Sequence, residues 1–273
     1  MRVHHLNCGT MRPAGGRLID GVGGVLHRAE MVCHTLLIET GSGLVLVDTG
    51  FGTQGVARPF EWLGRPFIAL VGAQLNRRET AAHQIVELGY SAEDVRDIVV
   101  THLDIDHAGG LADFPEATVH VSQEEYRAAT APRDAAERQR CRAAQFAHRP
   151  KWRPYATAGG RWFGFDAVRD LDGLPDILFI PLAGHSGGHA GVAVDTGDGW
   201  LLHAGDAYFF HGQIDPLAPH CPPGLRAFQA MAQADAQRRR ENVERLQELA
   251  VRHGREVDLF SSHSAAELRR SLR

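Results

Sequence analysis

A chain of 273 residues with 44% apolar side chains can bury the core of one large domain, and one domain is the simplest organisation. Its 29 Lys and Arg against 33 Asp and Glu leave a formal charge of -4, which argues against broad binding along a phosphate backbone but leaves room for a small-molecule substrate. No apolar run approaches the roughly 18 residues of a membrane span, so a cytoplasmic protein with neither a membrane nor a nucleic acid as partner is expected.

In chain order, residues 34–40 and 43–50 are two apolar runs separated by Gly41 and Ser42, the pattern of a hairpin. Residues 53–90 lose that pattern. They carry an apolar stretch around Trp62, Phe67 and Val71, then a helix near 79–88 that Gly89 should end. Residues 97–102 (DIVVTH) are β-branched and read as a buried strand, and 117–122 as another. A charged helix over 123–142 is broken by Pro132. The segment 148–165, rich in Arg, Trp, Gly and Pro, reads as an insertion or flap. Apolar strands return at 177–182, 189–196 and 199–206. A long amphipathic helix ends near Arg252, and a final strand at 257–263 precedes a short helix. Strand-rich halves flanked by helices favour a layered α/β arrangement, a single domain over 1–273 with helical or flap insertions near 53–90 and 123–165. Cys8, Cys33, Cys141 and Cys221 are far apart with no C-x-x-C pair, which suggests neither a sulfur-rich metal site nor a disulfide framework.

The chemistry gathers at strand ends. Five strand-like runs finish on a potential ligand: Asp48, His102, His185, Asp206 and His263. The densest piece is His102-Leu103-Asp104-Ile105-Asp106-His107, two imidazoles and two carboxylates within six residues. Groups packed so closely would repel or be desolvated at a cost without a cation. A donor set of nitrogen and oxygen with no thiolate suits zinc, manganese or iron.

These residues resemble the metallo-β-lactamase-fold hydrolase superfamily, whose His-x-His-x-Asp-His motif stands here as His102-x-Asp104-x-Asp106-His107. Asp48-Thr49-Gly50, the run Gly184 to His189, Gly205-Asp206 and Ser262-His263 match in order, so the likeness spans roughly 48–263. The resemblance implies a four-layer αββα sandwich holding one or two divalent ions, zinc first, with manganese or iron as alternatives. It implies that His102, Asp104 and His185 hold a first ion, that Asp106, His107 and His263 hold a second, and that Asp206 bridges them. Asp48 would support the ligands from behind, and His189 would be structural. Asp104 departs from the family's usual His, which bears on metal preference and on whether two ions bind.

In this reading water or hydroxide on the metal attacks the substrate, Asp106 steers its proton, and Tyr208 donates to the developing oxyanion. The DTG and HAGGL segments look most like the lactonase branch, which opens acyl-homoserine lactones and related esters. Arg149, Arg153 and Arg161, with Trp152 and Trp162, are candidates for meeting an anionic substrate. Two other classes stay open: a mononuclear iron oxygenase acting on a thiol or persulfide, and a catalytically degenerate ligand-binding protein. The oligomeric state is also open, a homodimer among the options.

Overall fold

The computed structural model describes all 273 residues and arranges them in four layers, two sheets face to face with helices on both outer surfaces. The first sheet holds β1 (Arg2–Met11), β2 (Met31–Thr40), β3 (Gly43–Val47), β4 (Ala73–Gln74), β5 (Val95–Val99), β6 (Thr118–Ser122) and β7 (Lys151–Tyr155), in the order β4-β1-β2-β3-β5-β6-β7. The second holds β8 (Gly160–Trp162), β9 (Phe165–Leu171), β10 (Leu174–Pro181), β11 (Ala190–Asp195), β12 (Trp200–His203) and β13 (Val257–Phe260), in the order β13-β12-β11-β10-β9-β8.

Why β2 and β3 read as unbroken apolar runs follows from the layering. Successive strand side chains point to opposite faces. Leu36, Ile38, Val45 and Val47 face the second sheet, where Ile177, Phe179, Val192 and Phe260 meet them. Leu37, Leu44 and Leu46 face the other way, onto Ala81 and Ile85 of the helix Ala81–Glu87. With both faces covered, residues 36–38 and 44–47 are apolar without alternation. On the far side, Leu246 and Leu249 of the helix Ala236–His253 cover the second sheet. Gly89 ends the helix Ala81–Glu87 as expected, with a left-handed φ of 90°. No helix is long and apolar enough to cross a membrane.

The connectivity places the strand ends. β3, β5 and β6 run parallel, so Asp48 and the 102–107 loop leave the first sheet at one edge. In the second sheet β12 and β13 are parallel, and β10 is brought parallel to them by two antiparallel pairings through β11. His185, Asp206 and His263 therefore emerge together. The amide of Ala190 donates to the carbonyl of Thr101 at 2.9 Å, tying the two edges to each other.

The segment 148–165 corrects the sequence reading. It is no flap: β7 closes one edge of the first sheet and β8 one edge of the second. Pro154 and the charged Lys151 and Arg153 disguise β7, but an edge strand tolerates proline and charge because one side of its backbone needs no ladder partner. Trp162 of β8 is buried in the core over the second sheet.

Candidate metal centre

The site is built from donors that aim imidazoles. Asp48 accepts from the backbone N–H and the hydroxyl of Thr101, each at 2.8 Å, and lies 2.8 Å from His107 Nδ1. The carboxylate thus makes Nδ1 the protonated nitrogen of His107 and turns Nε2 inward. Asp48 adopts a φ of 61°, a backbone conformation costing about 1–3 kcal/mol, which its three hydrogen bonds offset. His263 Nδ1 donates to the carbonyl of Val32 at 2.8 Å and likewise presents Nε2 to the centre.

Around that point His263 Nε2 lies 3.1 Å from Asp206 Oδ2 and 3.6 Å from Asp106 Oδ2. His107 Nε2 lies 3.3 Å from Asp206 Oδ1. His185 Nε2 stands 3.0 Å from Asp104 Oδ2 and 3.4 Å from Asp206 Oδ2, and His102 Nε2 is 3.4 Å from Asp104 Oδ2. The structure therefore brings His102, Asp104, Asp106, His107, His185, Asp206 and His263 to one place. Three overlapping sets there have ligand atoms within 4.8 Å of one another: His102, His107 and Asp206; His102, Asp104 and His185; and Asp106, His107 and His263. His102 Nε2, His107 Nε2 and Asp206 Oδ1 are buried and have no hydrogen-bond partner. Orphaned acceptors of this kind are rare in a folded interior, and a cation shared among them satisfies all three. The donor set fits a divalent metal.

Electrostatics agree. Burial alone would raise the Asp206 carboxyl, but His263, His107 and His185 hold it well below the usual carboxylate range. Burial opposes charge on His107 too, yet Asp206, Asp48 and Asp106 lift it well above an ordinary histidine.

His189 stays outside the set. Its Nδ1 donates to the carbonyl of Leu182 at 3.0 Å and its Nε2 accepts the Asp206 backbone N–H at 2.8 Å. That second bond needs Gly205, whose φ is 54° and where a Cβ would fall 2.5 Å from His189 Nε2. Tyr208 is not brought to the centre. It is fully buried in the core over the second sheet and its hydroxyl donates to Glu267 at 2.9 Å, so it has no oxyanion to meet. Tyr208 turns into the core while its neighbour Phe209 lies over the site, its ring centroid 4.8 Å from that of His263 and 5.7 Å from that of His185.

A cavity of about 970 Å³ opens above the cluster. Asp104, Asp106, His185, Asp206 and His263 line its floor, and Met11, Met31, Leu63, Phe67, Phe209 and Phe228 form an apolar wall. Arg149, Arg153 and Arg161 are not among its lining residues; Arg161 pairs with Asp166 at 2.7 Å instead. The basic lining comes from Arg127, Arg133, Arg140, Arg142 and Arg238, none of which carries a motif.

A family model described as the metallo-beta-lactamase superfamily matches residues 28–252. The chain belongs to the metallo-beta-lactamase superfamily. A probable metallo-hydrolase of Mycobacterium tuberculosis is 41% identical over 266 residues, covering 96% of this chain and 80% of that one. An N-acyl homoserine lactonase of Bacillus thuringiensis is 24% identical over 192 residues, 67% of this chain and 68% of its own. A solved N-acyl homoserine lactone hydrolase, with the product N-hexanoyl-L-homoserine at its catalytic metal center, superposes with a TM-score of 0.70 over 99% of this chain and 96% of that one. At 19% identity that likeness is one of fold.

Two residues of this superfamily member escaped the sequence reading. Glu125, buried, accepts from the Leu103 N–H at 3.1 Å, the Ser186 hydroxyl at 2.5 Å and the Gly188 N–H at 2.9 Å, clamping the two ligand-bearing loops together. Arg140 forks onto both oxygens of Asp104, at 2.5 and 2.8 Å, and its Nη2 lies 2.5 Å from His185 Nε2. Burial would raise Asp104, but Arg140 and His102 hold it well below its ordinary value. The only forewarning of Arg140 was an aspartate where the motif has an imidazole.

Proposed function

We propose that the chain is a metal-dependent hydrolase that opens a small-molecule lactone or ester bearing an apolar acyl group. The observation that carries this reading is the set of orphaned, buried ligand atoms on His102, His107 and Asp206, with Asp206 on the floor of a cavity walled on one side by apolar side chains. The names of the Bacillus thuringiensis relative and of the solved neighbour supply the substrate class, N-acyl homoserine lactones.

The residues able to hold one or two ions are His102, Asp104, Asp106, His107, His185, Asp206 and His263, and imidazole with carboxylate suits zinc, with manganese or iron as substitutes. A divalent cation bound there supplies Lewis acidity, which acidifies water and polarises a carbonyl oxygen. Asp206 is held in place through its own backbone by His189. Asp106, whose Oδ2 faces His263 at 3.6 Å, is the carboxylate we assign to the proton. It receives the proton that the attacking water releases and returns it to the alkoxide leaving oxygen, so a lactone and water become one hydroxy acid. Met11, Met31, Leu63, Phe67 and Phe228 take the acyl chain, while Phe209 keeps water from the faces of His185 and His263.

The test is a panel of N-acyl homoserine lactones of increasing tail length, aryl esters, thioesters and phosphodiesters, read by proton release from metal-loaded protein. Turnover of lactones or esters, with KM falling as the tail lengthens and activity lost to a chelator, is expected. Indifference to the chelator, or cleavage confined to phosphodiesters, would overturn the reading. Oxygen uptake with a thiol would move the chain to the oxygenase class.

A further inference from the structure

The two sides of the centre are not equally in need of a cation. On one side the Arg140 guanidinium already occupies Asp104 and His185: Nε and Nη2 take the two carboxylate oxygens, and Nη2 also faces the His185 Nε2 lone pair. Its Nη1 donates to the carbonyl of Ala232 at 3.0 Å, so the group is held from three directions. The helix that carries it, Ala135–Arg140, is pinned in turn by Arg127, which bonds Glu137 at 2.6 Å. On the other side, the buried Nε2 atoms of His102 and His107 and Oδ1 of Asp206 have no partner and lie within reach of one ion, beside Asp106 and His263.

We propose that Arg140 is a built-in cation of this centre, taking the Asp104–His185 face so that the chain retains one metal ion, among His102, Asp106, His107, Asp206 and His263. The proposal rests on the metal-dependent reading above and deepens it. A guanidinium cannot lose its proton in a protein, and its planar fork matches a carboxylate in a way that a metal ion must break to enter. A second dication at Asp104 would have to displace that pair and would sit against a fixed positive charge. Among the carboxylates that face the cavity the charges pair off: Asp104 is balanced by Arg140, and Asp106 with Asp206 by one dication. The substitution within the motif and the arginine then form one device. A histidine at 104 would offer the guanidinium no anion; an aspartate offers two oxygens at the spacing of the fork. Arg140 keeps about a quarter of its side chain exposed toward the cavity, 23%. Four of its five N–H groups are engaged, and the remaining one on Nη1 is the donor it can present to the acyl oxygen of a bound substrate, a task otherwise left to a second ion.

Metal content decides the matter. Full-length protein stripped with chelator, reloaded with excess zinc and desalted should carry one equivalent by elemental analysis. Arg140→Met should carry two, its second zinc binding more than about tenfold tighter than any second zinc of the unaltered chain. Arg140→Lys keeps the charge and should stay at one. Manganese-loaded protein gives an independent readout: isolated-ion electron paramagnetic resonance for the unaltered chain, and a spin-coupled pair for Arg140→Met. Two zinc equivalents in the unaltered chain, or one in Arg140→Met that melts as a folded protein, would overturn the proposal and leave the hydrolase reading standing. Failure to hold any metal would sink the hydrolase reading itself.

Discussion

His107 and His185 are both buried and both face the Asp206 carboxylate, at 3.3 and 3.4 Å, yet their surroundings drive them apart. Burial lowers each. Around His107, Asp206, Asp48 and Asp106 outweigh burial and lift it well above an ordinary histidine. Beside His185 the Arg140 guanidinium adds to burial, and the group falls to about 4. The contrast teaches that an imidazole's standing in a cluster is set by the charges that other elements bring to it, not by its place in a motif. His107 sits among anions and calls for a cation. His185 already has one beside it.

The strongest way to break this comparison is to neutralise the anion both histidines share. Asp206→Asn keeps the shape and removes the charge; it should cost about 10³-fold in kcat/KM, the equivalent of about 4 kcal/mol, along with most of the bound metal. Steady-state kinetics beside elemental analysis read it, and wild-type turnover would refute the role assigned to Asp206. Asp48→Asn acts on the His107 side alone. It removes the anion that fixes the Nδ1 proton, and metal affinity measured by chelator competition should fall about 10–100-fold. An unchanged affinity would mean that Asp48 only shapes the backbone.

A third test compares the ligand cluster with the buried carboxylate behind it. Burial raises Glu267 from 4.5 to about 7, against the hydrogen bonds from Ser261 and Tyr208. Between those two values the folded chain binds more protons than the unfolded one, so this group's contribution to stability falls as pH rises through that window. Glu267→Gln can still accept from Ser261 and can donate to Tyr208. It should overtake the unaltered protein across the window, by about 1–3 kcal/mol at the upper end, in urea titrations at several pH values. Parallel pH curves for the two proteins would count against it. The smallest effect belongs to Tyr208→Phe, which loses one buried hydrogen bond: about 1 kcal/mol of stability, with turnover unchanged. A hundredfold loss of kcat at full stability would return Tyr208 to the oxyanion role.

Much of the site was legible because its ligands sit where strands stop. A ligand one to four residues past a buried apolar run inherits its place from that run, and runs of this kind are local signals. The dense 102–107 loop needed no tertiary knowledge to point to a cation, since its own charges conflict without one. Edge strands were not legible in the same way. β7 and β8 carry Pro, Arg and Trp because an edge is only half covered, and such a segment has the composition of a loop. Tyr208 was misplaced for a different reason: residues past the last ladder bond of β12 keep no guaranteed face, and a one-residue difference exchanges Tyr208 for Phe209 over the metal ligands.

The amino-acid sequence by itself determined the layered class, most strand positions and the seven side chains able to meet around a cation, because each depends on patterns a few residues long. Tertiary structure alone decided which of those side chains still lack a partner. Arg140 reaches Asp104 across 36 residues and His185 across 45, and Glu125 reaches Ser186 across 61. Charge balance in a buried centre is summed over everything within a few ångströms, and no local pattern reports what a distant helix end brings there.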